Sequence, residues 1–209
     1  MIDHPAFFLD LQRCTGCKTC VIACRDKNDL GPGIRWRRVV EFCGGSWQRR
    51  TDGSVVQDVF AYYLSMSCNH CRDPICVAAC PTTAMHQEAD GIVLVDPAKC
   101  VGCRYCQWVC PYSAPQFDAA TGRVSKCDFC REELQNGGSP ACVAACPTRA
   151  LHVGNYEELA EKYGSAALVA PLPPKELTQP SLILESHKDA QPLDSHRGQI
   201  VNPEEVRNA

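Results

Sequence analysis

Seventeen cysteines stand in this chain, and all but Cys43 fall into four groups of four. The first group, Cys14-x2-Cys17-x2-Cys20-x3-Cys24, has the spacing of the third, Cys100-x2-Cys103-x2-Cys106-x3-Cys110. The second is Cys68-x2-Cys71-x4-Cys76-x3-Cys80, and the fourth is Cys127-x2-Cys130-x11-Cys142-x3-Cys146. Pro81, Pro111 and Pro147 follow the last cysteine of groups two, three and four. Three thiolates at two-residue intervals wrap a tight loop on which their sulfurs converge, while a short helical turn carries the fourth away to a neighbouring cluster. A proline after that cysteine disfavours further helix and ends the turn. At four thiolates per cluster, the sixteen grouped cysteines suffice for four [4Fe-4S] clusters. Zinc would leave the third cysteine of each tight run and the Cys-Pro endings without a role. A disulfide framework fits neither the odd total nor a chain in which no secretory signal is read.

Composition supports a fold stapled by such groups. The hydrophobic fraction of 45% counts the 17 cysteines, so the conventional core is thin, and thin cores usually need a metal or a disulfide. No apolar run approaches the length of a membrane span. The N-terminal stretch carries Asp3 where an export signal needs positive charge, so none is expected. Arg37-Arg38 and Arg49-Arg50 lack the following apolar stretch of a twin-arginine signal. A net charge of -3 gives no footprint for nucleic acid. There is no G-x-G-x-x-G, Walker loop or H-E-x-x-H, and no catalytic residue is assigned.

An internal repeat orders the groups. Ile75–His86 and Ala141–His152 agree at nine of twelve positions, and Cys14–Cys20 echoes Cys100–Cys106. Group one therefore resembles three and group two resembles four, the mark of a duplication. Between Cys80 and Cys100, Asp90-Gly91 signals a hairpin and Ile92–Asp96 a strand. Groups two and three then make one ferredoxin-like module, 60–119, and groups one and four make the other, 1–59 plus 120–170. Exchange of the fourth cysteine gives nested ligand sets: Cys14, Cys17, Cys20 with Cys146; Cys127, Cys130, Cys142 with Cys24; Cys68, Cys71, Cys76 with Cys110; and Cys100, Cys103, Cys106 with Cys80. Pairing group one with two and three with four is the alternative, and it places Arg25–Ser67 inside one module.

The elements that must position these loops can be read in outline. Phe7–Asp10 and Phe60–Ser65 read as strands leading into cysteine loops. Tyr156–Tyr163 reads as a helix ending near Gly164. The insertion 25–59, rich in Gly, Trp and Arg between Gly31 and Gly53, either covers a cluster or a partner surface or is a surface loop. The proline-rich segment 171–209 reads as an extended tail that wraps another subunit or is disordered. The fold class is thus α+β: two ferredoxin-like two-cluster modules related by duplication, with an insertion and an extended C-terminal tail.

Each oxidised cluster with four thiolates carries about -2, so four would take the chain to roughly -11. Lys18, Arg25, Arg72, Lys99, Arg104, Lys126, Arg131 and Arg149 crowd the ligands as candidate counter-charges, and Gly16 and Gly102 ease the loop turns. His70 could donate to sulfur, His86 and His152 serve packing, and Cys43 reads as a small apolar residue.

Arg13–Cys20, Phe60–Cys71, Cys103–Cys106, Gly44–Trp47 and Val169–Pro173 resemble the iron-sulfur subunits of bacterial dimethyl sulfoxide reductases, over essentially the whole chain. The cysteine groups alone are shared with subunits of other molybdopterin oxidoreductases, acting on formate, nitrate, thiosulfate, polysulfide, tetrathionate or selenate. The resemblance implies a non-catalytic wire in a three-subunit respiratory enzyme, between a molybdopterin catalytic subunit and a membrane anchor that oxidises menaquinol. Nitrate reductase relatives have tryptophan at the second cysteine of group three; Cys103 here implies that all four clusters are [4Fe-4S]. The Cys100 set would face the quinol side and the Cys14 set the molybdenum subunit. The resemblance also implies a place at the cytoplasmic membrane, peripheral through the anchor, on the periplasmic face after co-export with the catalytic subunit. A freestanding polyferredoxin and a purely structural use of the clusters are the competing readings.

Overall fold

Phe7, Phe8 and Leu9 are all buried, so β1 (Pro5–Asp10) has no solvent face. Such a strand must be covered on both sides. On one side Phe7 stacks on Phe129 with ring centroids 4.2 Å apart. On the other, Phe8 stacks on Tyr163 at 3.9 Å. The computed structural model describes residues 2–164 and 169–206, and the fold within them is mixed α+β.

Along the chain, α1 (Thr19–Lys27) follows the first cysteine loop, then come β2 (Arg38–Gly44), β3 (Trp47–Arg49), β4 (Val55–Gln57) and β5 (Phe60–Met66). Next are α2 (Ile75–Ala78), β6 (Met85–Gln87), β7 (Val93–Val95), α3 (Tyr105–Val109), β8 (Gln116–Asp118) and β9 (Arg123–Ser125). The remainder comprises α4 (Arg131–Gln135), α5 (Ala141–Ala144), β10 (Leu151–Asn155), α6 (Tyr156–Tyr163), β11 (Leu182–Glu185) and β12 (Gly198–Ile200).

One three-stranded sheet has the order β10-β1-β11, with β10 antiparallel to β1 (Phe7 opposite Val153) and β11 parallel to it (Phe7 opposite Leu182). The other has the order β12-β2-β5, both pairs antiparallel, with Val40 opposite Leu64 and Gln199 opposite Cys43. Three two-stranded ribbons, β3-β4, β6-β7 and β8-β9, complete the strands. Asn155 caps α6, its side chain accepting from the Glu157 and Glu158 amides, and Gly164 follows its last turn at φ 84°.

Two sequence expectations change here. The segment from 171 onward is no free tail: β11 and β12 are edge strands of the two main sheets of this same chain. A 3-10 helix, Pro203–Glu205, then delivers the buried Glu205 carboxylate to Lys18 and Arg35, each 3.3 Å away. Short apolar runs such as Leu182–Leu184 outweigh the prolines around them because a sheet edge is open to receive them. The insertion 25–59 divides likewise. Its β2 is the central strand of a main sheet and pairs along its length with β5, across the boundary drawn at 59/60, while β3-β4 is an exposed ribbon with Trp47 in solvent.

Candidate metal centres

The cysteine loops turn by means of left-handed residues in repeated places. Gly16 and Lys18 have φ of 70° and 61°, and their counterparts Gly102 and Arg104 have 69° and 64°. A Cβ at Gly16 would run into the Tyr63 ring, and one at Gly102 into the Gly122 carbonyl. Glycine is therefore required at both positions for conformation and for space.

Helices then tie the loops together. α1 packs against α5, and α2 against α3. Each pair carries cysteines across: Cys20 and Cys24 lie on α1, while Cys142 on α5 precedes Cys146 just beyond its end. Cys76 and Cys106 occupy the same roles on α2 and α3, with Cys80 and Cys110 beyond the helix ends.

The structure brings the cysteines into four neighbourhoods. The thiols acting on Cys14 are those of Cys20, Cys146 and Cys17. Cys24 lies under the influence of Cys142 and Cys130, and Cys127 under that of Cys24, Cys68 and Cys142. Cys76 is acted on by Cys68, Cys110 and Cys71, and Cys106 by Cys100, Cys103 and Cys80. Cys20 also feels Cys142. That link, the link from Cys127 to Cys68, and the buried cluster that Cys76 shares with Cys106 arrange the neighbourhoods in single file. Cys17 is exposed in the first and Cys103 in the last. Cys43 stands apart on β2, opposite Ala61.

Cavities open at both ends of this file. One, with about 330 Å³ between atoms and partly open to solvent, is lined by Cys14, Cys17, Cys20 and Cys146. The other, also about 330 Å³, is lined by Cys80, Cys100, Cys103 and Cys106. Among the described residues no three Cys, His, Asp or Glu side chains close on one point as ligands of a single metal ion. Four thiols lining one cavity at each end suit a polynuclear group with one metal atom behind each sulfur. The donor set therefore fits [4Fe-4S] clusters.

Burial and hydrogen bonds divide the thiols. Burial pushes Cys14 up to about 11, and Cys24 and Cys71 up to about 12. Buried thiolates of this kind need metal or cationic partners to stay charged. Cys17 lies below the ordinary value because Thr19 hydrogen-bonds to its sulfur. At Cys80 and Cys146 burial raises the value, but amide and threonine contacts outweigh it and both end lowered. These two are repeat counterparts: the Met85 amide donates to Cys80 Sγ and the Ala150 amide to Cys146 Sγ, both at 3.3 Å. Further amide-to-sulfur bonds run from His70 to Cys68 at 3.5 Å, from Phe129 to Cys127 at 3.4 Å and from Val124 to Cys100 at 3.5 Å.

Of the expected cations, Lys126 alone is deeply buried, at 4% exposure, with Nζ donating to the Val93 and Cys127 carbonyls. Lys18, Lys99 and Arg131 pair with carboxylates, Arg72 and Arg104 lie over the Tyr156 and Phe117 rings, Arg25 bonds the Leu30 carbonyl, and Arg149 bonds the Ala144 carbonyl at the end of α5. Sequence reasoning missed Arg37 and Arg38, each 2% exposed. Arg38 donates to the Glu205 and Tyr112 carbonyls, and burial holds its guanidinium down at about 10. The available signal was their position at the head of the β-branched run Val39-Val40. His70 is also buried. Its Nδ1 accepts from the Val93 amide at 3.1 Å, which leaves the proton on Nε2. His86 bonds the Ala84 carbonyl and His152 the Arg149 carbonyl, local contacts that orient β6 and β10.

Comparison with known proteins agrees with this chemistry. The profile of a 4Fe-4S dicluster domain matches residues 59–156. Over 205 residues the sequence is 50% identical to an anaerobic dimethyl sulfoxide reductase chain of Haemophilus influenzae, covering 98% of this chain and 100% of that one. Over 206 residues it is 48% identical to the corresponding anaerobic dimethyl sulfoxide reductase chain of Escherichia coli K12, covering 99% and 100%. A tetrathionate reductase subunit of Salmonella typhimurium is 39% identical over 153 residues, 73% of this chain and 58% of that protein.

Proposed function

Because the protein belongs to the family of iron-sulfur subunits of anaerobic dimethyl sulfoxide reductases, we propose that it is the electron-transfer subunit of a membrane-bound molybdenum oxidoreductase. It carries electrons from a menaquinol-oxidising membrane anchor to a molybdopterin subunit that reduces dimethyl sulfoxide or related S- and N-oxides in anaerobic respiration. The observation that carries this reading is the single file of four cysteine neighbourhoods, with one exposed thiol at each end. When bound, four [4Fe-4S] clusters supply four one-electron couples.

The chain's own residues hold and insulate those couples. The ligand sets are Cys14, Cys17, Cys20 with Cys146; Cys24 with Cys127, Cys130, Cys142; Cys68, Cys71, Cys76 with Cys110; and Cys80 with Cys100, Cys103, Cys106. The packing of α1 on α5 and α2 on α3 favours this nested arrangement over sequential pairing. Buried ligands in the two inner sets keep water out, and amides donating to sulfur favour the more negative, reduced state. Cys17 marks the end that meets the molybdenum subunit and Cys103 the end that meets the anchor. Val101, Tyr105 and Trp108, the last 70% exposed, give the Cys103 end an apolar rim suited to burial by a partner. No helix among the described residues is long and apolar enough to cross a membrane; attachment is through the anchor, on the periplasmic face after co-export with the catalytic subunit.

The same wire in an enzyme for another oxidant is the second reading, favoured by the similarity to the tetrathionate reductase subunit. The test is anaerobic purification of the protein with its natural partners, followed by oxidation of a reduced dye on adding dimethyl sulfoxide. Turnover with molybdenum in the preparation is expected. Molybdenum without turnover reassigns the oxidant, and a lone soluble chain overturns the proposal in favour of a freestanding polyferredoxin.

A further inference from the structure

A buried cation without an anion is costly, so a guanidinium at 2% exposure needs explanation. Arg37 donates to neutral oxygens: Nη1 to the Ser65 carbonyl and to Ser65 Oγ, both at 3.1 Å, and Nη2 to Ser67 Oγ at 2.9 Å. The guanidinium carbon lies 4.4 Å from the centroid of the Phe7 ring, which closes one face. Burial works against its charge, while the thiols of Cys142, Cys20, Cys127 and Cys24 favour it and prevail. Those four cysteines belong to the first two neighbourhoods in the file. The Arg37 amide also favours the Cys24 thiolate.

Ser65 extends the contact. Its Oγ lies 3.2 Å from Cys20 Sγ. Arg37 already donates to that oxygen, and a sulfur bound to iron carries no proton. The hydroxyl hydrogen is then free to point only one useful way, toward the sulfur. We propose that Arg37 is the fixed counter-charge shared by the Cys14/Cys17/Cys20/Cys146 and Cys24/Cys127/Cys130/Cys142 clusters, and that it aims the Ser65 hydroxyl at Cys20 Sγ. Arg37 is a positioning and charge-setting residue. It makes the added negative charge of reduction more acceptable at both clusters and weakens the repulsion between electrons held on each. Ser65 acts on the first cluster alone.

The inference rests on the reading that these cysteines hold four clusters, and the test separates the two. The intact complex is titrated potentiometrically under electron paramagnetic resonance, with the first two clusters identified by the signals that Cys14→Ser and Cys130→Ser remove. Arg37→Met is expected to shift the reduced-to-oxidised ratio of those two clusters about tenfold toward oxidised at a fixed potential, equivalent to about 59 mV for a one-electron couple. The other two clusters move less. Ser65→Ala shifts only the first cluster, and Arg37→Lys, which keeps the charge, restores most of the effect of Arg37→Met. Unchanged potentials in Arg37→Met, equal shifts in all four clusters, or a Lys variant as shifted as the Met variant overturn the role. Should Arg37→Met fail to assemble, Ser65→Ala decides: a shift confined to the first cluster supports the arrangement, and no shift overturns it. Fewer than four titrating centres in the unaltered protein overturns the cluster reading itself, and the inference falls with it.

Discussion

Two regions of the molecule carry the same ligand run and differ in what surrounds it. Around α1 and α5 the helices pack on β2 and β10 of the two main sheets, beside the Phe7–Phe129 stack and the buried Arg37. Around α2 and α3 the cysteines back onto two short ribbons, and Cys76 and Cys106 share a small buried cluster with Met85, Val93 and Val124, against which Val77, Val95, Phe117 and the further ligands Cys80 and Cys100 pack. The spacing of cysteines thus defines where a cluster sits, while its surroundings decide how far the protein could hold that shape without it. Near α2 and α3 the ligands are much of the core, so folding there is expected to be coupled to the metal.

The largest effect should come from the exposed end of the ribbon region. Cys103→Ser is expected to remove or convert one centre and to abolish quinol-driven turnover; wild-type spectra with unchanged turnover would break the assignment of that loop. Iron removal by an anaerobic chelator should come next. Amide exchange is expected to lose protection first across residues 75–125, with β1, β10 and β11 protected longest. Uniform loss across both regions would erase the contrast drawn above. The smallest effect belongs to the sheet side: Asn155→Ala removes the side-chain acceptor for two α6 amides and should cost about 1 kcal/mol in thermal or denaturant unfolding. The cluster spectra should not change.

How much of this was legible varies with how local the cause is. The loops, the strands β1 and β5, and α6 with its stop at Gly164 follow from spacing, apolar runs and capping residues that act within a few positions. The roles of β2, β11 and β12 depend on which distant edge accepts them, and glycines and prolines nearby obscure apolar runs such as Val39-Val40 and Leu182–Leu184. The counter-charges were legible least. Proximity in sequence pointed to eight cations of which Lys126 is deeply buried, whereas Arg37, thirteen residues past Cys24, comes to the thiols only through the pairing of β2 with β5. Charge placement is a tertiary property, and a ligand spacing does not record it.

The most direct test of the central claim is to count and cycle the centres. The purified complex is reduced anaerobically, followed by Mössbauer and paramagnetic resonance spectroscopy, and then given dimethyl sulfoxide. Four [4Fe-4S] centres, each taking one electron and each reoxidised by the added acceptor, are the predicted result. Fewer than four centres, or centres that stay reduced while the acceptor is consumed, would contradict it.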